Sequence, residues 1–163
     1  MKHSLECRPL HATDATLIPQ SWGARVDNFI YLTSPVLNSI QAAQHYIRQT
    51  LHIPENMAYH LVPKGEICGV VKAIVDGHRA QVGYVVDKTY WGRGIATQAV
   101  QFITAELKNV PAIQRIWATC ALENIGSQRV LEKCGYQREG ILKNWAIYPA
   151  GGNLAHDNFV YSL

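Results

Sequence analysis

The residues best equipped for chemistry lie in the stretch Tyr90-Trp91-Gly92-Arg93-Gly94-Ile95-Ala96-Thr97. Two glycines one residue apart let a main chain turn sharply and be approached closely, with no Cβ in the way. An apolar run over residues 82–86 precedes this stretch, and a helical apolar pattern follows it. A strand that breaks into a glycine turn and then into a helix start aims bare backbone N–H groups at one point. The positive end of the helix dipole points there too, so the turn is a cradle for phosphate. Arg93 can pair with such a phosphate or stand as a solvated loop arginine. Further along, Asn124 and Ser127 lie three apart and share one side of a helix's first turn. Taken alone, that pair reads as a helix cap.

The elements around these residues follow from periodicity and punctuation. Residues 5–10 can form a first strand, and Asp14 opens a short helix with Thr13 as a possible cap. Residues 19–35 show no clean period but carry Trp22, Phe29 and Tyr31, which read as core or as the lining of a substrate site. Ile40, Ala43, Ile47 and Leu51 keep helical spacing until Pro54. Strands are then expected over residues 57–62, 67–75 and 80–86, with turns at Pro63-Lys64-Gly65 and Asp76-Gly77. Beyond the glycine loop, Ile95, Ala99, Phe102, Ile103 and Leu107 form a helix stripe. Residues 115–122 alternate as a fifth strand, and residues 124–134 form a helix closed by Gly135. Residues 136–142 and 157–163 are the last two strands.

Three antiparallel strands ahead of the glycine loop argue against a dinucleotide fold, whose glycines follow the first strand of a parallel unit. Thr97 also stands where that fingerprint has its third glycine. With 163 residues, 48% of them hydrophobic and 17% charged, the chain reads as one soluble domain over residues 1–163. A net charge of +3 is too small and too dispersed to expect nucleic acid as a partner. No apolar run reaches the roughly 18 residues of a membrane span. The start of the chain lacks an apolar leader core, so neither membrane nor export is expected and cytoplasm is the default. Cys7, Cys68, Cys120 and Cys134 are scattered with no metal-ligand spacing, so they read as reduced thiols and no metal is expected.

With these pieces in order, Trp91-Gly92-Arg93-Gly94-Ile95-Ala96 resembles the (Q/R)xxGx(G/A) signature of the GNAT N-acetyltransferases, with Trp91 in the Gln/Arg slot. Gly83-Tyr84 and residues 90–94 are similar to the subgroup that acetylates N-termini of ribosomal proteins. So are the helix Asn124-Ile125-Gly126-Ser127 through Glu132-Lys133-Cys134-Gly135-Tyr136, the segment Gly140-Ile141-Leu142-Lys143-Asn144-Trp145 and the closing residues 157–162. The resemblance covers roughly the second half of the chain.

It implies one α+β GNAT-like domain: a mixed, mostly antiparallel sheet of about seven strands flanked by about four helices. It also implies acetyl-CoA as donor. Backbone N–H groups of Gly92, Arg93, Gly94, Ile95, Ala96 and Thr97 would hold its pyrophosphate. Tyr84, Val85 and Val86 would pair with its pantetheine arm, and Asn124 would bond the same arm. An N–H of Val85 or Val86 would polarise the thioester carbonyl. Many relatives place an acidic tyrosine one turn beyond Ser127, but Leu131 occupies that slot, which leaves Ser127 as proton donor to the departing thiolate. Relatives often carry glutamates where this chain has Gln81 and Gln98, so Glu123, or water leading to His60 or His78, remains as base. A reference α-amine, with pKa about 7.7–8.0, is deprotonated more cheaply than a lysine at about 10.4. The expected acceptor is therefore a primary amine attacking directly in a ternary complex, a protein N-terminus before a small molecule. The missing carboxylates keep a second reading open, a catalytically idle acyl-CoA-binding module. Oligomeric state is not legible.

Overall fold

Residues 4–163 are described by a computed structural model of the chain; Met1, Lys2 and His3, part of the start read for a leader, lie outside the described residues. Seven strands join one sheet in the order β1-β2-β3-β4-β5-β7-β6. They are β1 (Glu6–Pro9), β2 (Met57–Val62), β3 (Gly69–Asp76), β4 (Arg79–Val86), β5 (Arg115–Ala121), β6 (Gln137–Ile147) and β7 (Ala155–Ser162). Three α-helices accompany them: α1 (Ile40–Leu51), α2 (Ile95–Lys108) and α3 (Ile125–Lys133). Every neighbouring pair is antiparallel except β4 and β5.

One of the four expected helices differs. Residues Ala12–Thr16 form a single 3-10 turn. Five residues give too few i→i−4 bonds to nucleate an α-helix. Asp14 closes the turn locally instead, accepting from the His11 N–H at 2.8 Å. The sixth strand runs five residues past the expected end at residue 142, kinked by irregularities between Arg138 and Gly140 and between Leu142 and Ala146. Its continuation carries Asn144 at φ +48°, which swings Trp145 out of simple alternation.

The sheet separates two cores. On one face α2 and α3 pack Ile95, Ala99, Ile103, Leu107 and Leu131 against Val71, Ala73, Val82 and Tyr161. On the other, α1 and the N-terminal segment pack Trp22, Phe29, Ala43 and Ile47 against Val70 and Val85. Ser39 caps α1 as its Oγ accepts from Ala42 N at 3.1 Å. β3 holds β4 along its full length, and β7 holds β5 over residues 117–121. β4 and β5 pair only over Arg79–Gln81 and Arg115–Trp117. Beyond that short parallel ladder the two strands diverge, each following its antiparallel partner and the twist of the sheet.

Candidate active site

The parting of β4 and β5 opens a cleft of about 680 Å³ on the α2/α3 face. Its walls are residues 82–86 of β4, Ala118, Thr119 and Cys120 of β5, the glycine loop, and the start of α3. From Val82 onward, the edge of β4 that faces β5 has no strand to pair with. Tyr84, Val85 and Val86 thus lie along an unpaired strand edge within the cleft.

The glycine loop closes one end. Gly92 and Gly94 sit at φ +74° and +75°, left-handed conformations that a Cβ would strain. Gly94 starts α2 without any side-chain cap. Among the described residues, none of the six backbone N–H groups from 92 to 97 finds an acceptor, whereas Trp91 N and Gln98 N do. Six open donors at a helix start form a concave, positively polarised surface. Trp91 fastens the loop to the strand, its indole N–H donating to the Val86 carbonyl at 2.7 Å. Arg93 does not line the cleft; its guanidinium lies 5.1 Å over the Tyr90 ring. Arg129 and Lys133 of α3 do line it.

Beneath the loop lies an anchor that sequence reasoning missed. The buried Asp87 carboxylate accepts from Thr89 N at 3.0 Å, Thr89 Oγ1 at 2.5 Å, Asn28 Nδ2 at 2.9 Å and Arg25 Nε at 3.1 Å. Asn28 Oδ1 in turn accepts from Lys88 N at 2.9 Å. Burial pushes the Asp87 carboxyl up, but these hydrogen bonds outweigh it and hold the group below its ordinary range. The network ties the N-terminal segment to the turn ahead of the glycines. Asp-Lys-Thr after an apolar strand is a local cap signal; the partners at 25 and 28 carry no such signal.

At the start of α3, Asn124 Oδ1 accepts from Ser127 N at 3.2 Å, so the amide caps its helix. Its Nδ2 has no protein partner among the described residues and faces the cleft. Ser127 Oγ lies 2.6 Å from the Tyr84 hydroxyl, joining α3 to β4 across the cleft. Burial raises the Tyr84 pKa, and the Ser127 hydrogen bond opposes that only in part. The phenol is therefore a standing proton donor; its side chain, as opposed to its backbone, was not singled out from sequence. Burial likewise pushes the neighbouring Cys120 thiol up to about 11. Leu131, in the slot where a tyrosine was sought, is fully buried core.

A second cavity of about 270 Å³ opens on the α1 face. Tyr46, Lys72, Gln81, Trp145 and Tyr148 line it, with Tyr31 at its wall and the buried Trp22 and Phe29 behind. The aromatic cluster is thus both core and cavity wall. The two cavities share Tyr31, Leu32, Val82, Gly83, Tyr84, Val85 and Thr119. They meet where the strands part.

The structure scatters the sequence's base candidates. His60 is wholly buried beside Asp14, and burial lowers its pKa. His78 is exposed in the β3–β4 turn, its carbonyl accepting from Gln114 N at 2.8 Å. Neither lines a cavity, Glu123 borders only the cleft, and Gln98 turns back to the Gly94 carbonyl at 3.4 Å. Gln81 alone of these faces the second cavity.

Residues 4–137 match the family description "Acetyltransferase (GNAT) domain". The chain belongs to the GNAT acetyltransferase family. Over 64 residues it is 41% identical to the probable N-acetyltransferase YjcK of Bacillus subtilis, covering 39% of this chain and 35% of that one. The chain spans about half the length of three further curated relatives that it matches. The fold matches the ribosomal-protein-S5-alanine acetyltransferase of Vibrio fischeri with a TM-score of 0.84 at 21% identity, over 98% of this chain and 92% of that chain. It also matches the microcin C7 self-immunity acetyltransferase, solved with acetyl-CoA and AMP, with a TM-score of 0.81 at 23% identity over 98% and 92%. At these identities the structural matches speak for the fold, and the GNAT assignment rests on the family match. Among the described residues, no helix is long and apolar enough to cross a membrane.

Proposed function

We propose that this GNAT domain transfers an acetyl group from acetyl-CoA to a primary amine in a ternary complex. One observation carries the reading: two adjoining cavities share Gly83, Val85 and Thr119 where β4 and β5 part. Donor and acceptor can therefore enter separately and react at the shared opening, which removes the entropy cost of a bimolecular encounter. The crystal structure of the microcin C7 self-immunity acetyltransferase in complex with acetyl-CoA supports the choice of donor.

Each residue then has a task. The six open N–H groups at 92–97 fit a diphosphate, and the lack of side chains at Gly92 and Gly94 leaves room for it. The unpaired edge of β4 at Tyr84, Val85 and Val86 fits an extended amide-bearing arm, with Asn124 Nδ2 as a further donor. The strand N–H of Val86, on the edge away from β3, stabilises the charge that develops on the thioester carbonyl when aimed at it. Ser127 donates a proton to the departing thiolate and recovers one from Tyr84. The proton that the amine nitrogen sheds as the amide forms returns to the phenol, whose raised pKa keeps it protonated between turnovers. No carboxylate lines the acceptor cavity, so the amine must arrive neutral. Freeing a lysine rather than an α-amine at pH 7 costs roughly 3–4 kcal/mol more. The acceptor is accordingly an α-amine, at a protein N-terminus or on a small molecule.

Thermal unfolding with acetyl-CoA or NADH, followed by thiol release with an amine and peptide panel, tests the proposal. Acetyl-CoA at about 100 times its Kd adds roughly 2.7 kcal/mol of stability, and NADH adds none. Absence of stabilisation ends the reading. Stabilisation without thiol release from any amine favours the idle acyl-CoA-binding module.

A further inference from the structure

The acceptor cavity carries one charge. Among the described residues, Lys72 is the only lysine, arginine or acidic residue in its lining, and no carboxylate lies within ion-pair distance of it. Its Nζ sits 4.5 Å over the Tyr46 ring. Lys72 stands directly across from Gly83 in the β3–β4 ladder. Its Cε lies 3.9 Å from where a Cβ on Gly83 would be. The lysine stem thus lies along β4, beside the opening to the cofactor cleft. An ammonium held by an aromatic face, half-buried and short of an anion, calls for one from its ligand.

The rest of the cavity is uncharged among the described residues and small, with aromatic walls beside neutral polar groups such as Gln81 and Asn158. Tyr31 meets Tyr148 edge-to-face at 6.2 Å, and a Cβ on Gly151 would stand 2.3 Å from the Ile30 carbonyl oxygen. The N-terminal segment and the β6–β7 connection are therefore in tight contact, and the cavity wall is closed there. About 270 Å³ suits a compound of amino-acid size.

We infer that the acceptor is a small amine bearing its own anion: an α-amino acid with an aromatic or branched side chain. Its carboxylate lies on Lys72, its side chain lies among Tyr46, Trp145 and Tyr148, and its amine reaches the opening at Gly83 and Thr119. This rests on the transfer reading above and decides between its two acceptor classes. A protein N-terminus presents a neutral amide, not an anion, to Lys72. A polyamine brings a second ammonium to a cavity without a carboxylate.

The test compares L-phenylalanine, L-phenylalaninamide and a phenylalanyl peptide in acetyl-CoA-dependent thiol release, using wild type, Lys72→Met and Lys72→Arg. The free acid exceeds amide and peptide in kcat/KM by at least about tenfold, as one charge-assisted contact provides. Lys72→Met removes the preference by lowering kcat/KM for the acid at least about tenfold more than for the amide or peptide, and Lys72→Arg restores it. Equal or better use of amide or peptide, or a Lys72→Met loss common to all three, overturns the inference. If no acceptor releases thiol, N-acetyl-phenylalanine and its amide are titrated by ligand-observed NMR. Lys72-dependent selection of the acid upholds the anion site even then, and equal binding or none overturns it. Acetyl-CoA stabilisation in the same preparations judges the transfer reading separately.

Discussion

Asp87→Ala provides the most demanding check on how the glycine loop is held. The carboxylate side chain is 7% exposed and accepts four hydrogen bonds. Thr89 and Arg25 are exposed enough to turn to water once it is gone, so their loss is small: about 1 kcal/mol for the cap and at most about 1 for the surface ion pair. Asn28 is buried and cannot do so. Its bond to a charged acceptor contributes about 1.5–3 kcal/mol. The expected destabilisation is therefore about 3–4 kcal/mol, a large part of a typical 5–15. Asp87→Asn keeps one oxygen as acceptor and loses about half as much. The folded-state pKa of Asp87 is depressed, so its contribution is present above the unfolded value near 3.9 and disappears as pH falls through the folded value. Urea unfolding followed by tryptophan fluorescence at pH 7 and near pH 3, with the slope m held constant, measures both effects. A loss below 1 kcal/mol at pH 7, or a wild-type-to-variant gap that persists undiminished at low pH, would refute the anchor.

Other consequences are equally direct. Gly94→Glu abolishes stabilisation by acetyl-CoA. Its own cost to the fold stays near 1–2 kcal/mol, because the new Cβ meets no protein atom and only the positive φ is strained. Ser127→Ala and Tyr84→Phe each lower kcat by about 10–100-fold with KM for acetyl-CoA unchanged. The double variant is no slower than the poorer single, as members of one relay require. In wild type, log kcat/KM for an amide or peptide α-amine climbs with unit slope to about pH 7.7–8.0 and then levels; a plateau beginning two units lower would reveal a general base. Gln81→Glu speeds neutral amide acceptors below pH 7 and weakens free amino acids, both read by thiol release.

What the chain discloses locally, it discloses well. The two positive-φ glycines, the Asp76-Gly77 hairpin, the Ser39 cap and the apolar stripes of α1 and α2 depend on neighbours within a few residues. The turn of open N–H groups ahead of α2 was legible for the same reason. Long-range geometry was not. β7 inserts between β5 and β6, and the parallel ladder of β4 with β5 stops after three residues. Neither fact has a periodic signature, yet together they create the cleft. Asp87 and Asn28 are 59 residues apart and Tyr84 and Ser127 are 43 apart, so no spacing rule could join them. Helical spacing from Ser127 leads to the buried Leu131, while the phenol that meets Ser127 comes from β4. Lys72 had no motif at all. Its meaning comes from the absence of carboxylates around it, which only the assembled cavity defines.

Lys72 and Gln81 are best understood together. Lys72 faces Gly83 and Ile74 faces Gln81, so the two polar side chains line the same cavity from adjacent strands, two positions apart in register. A glutamate at 81 would accept a proton from the amine, but it would also stand beside the one cation and pair with it. An enzyme that reads its substrate's carboxylate through Lys72 cannot keep that rival. The cost of a missing base is then met from the substrate side. In a free amino acid the carboxylate holds the neighbouring ammonium protonated, and Lys72 cancels that field once the two are paired. At a separation of about 6 Å and an effective dielectric near 20, one unit charge is worth about 3 kcal/mol, on the order of two pKa units. Binding and deprotonation are thus driven by the same ion pair. An amide-capped acceptor gains neither, and that is why the preference for the free acid and its loss in Lys72→Met must move together.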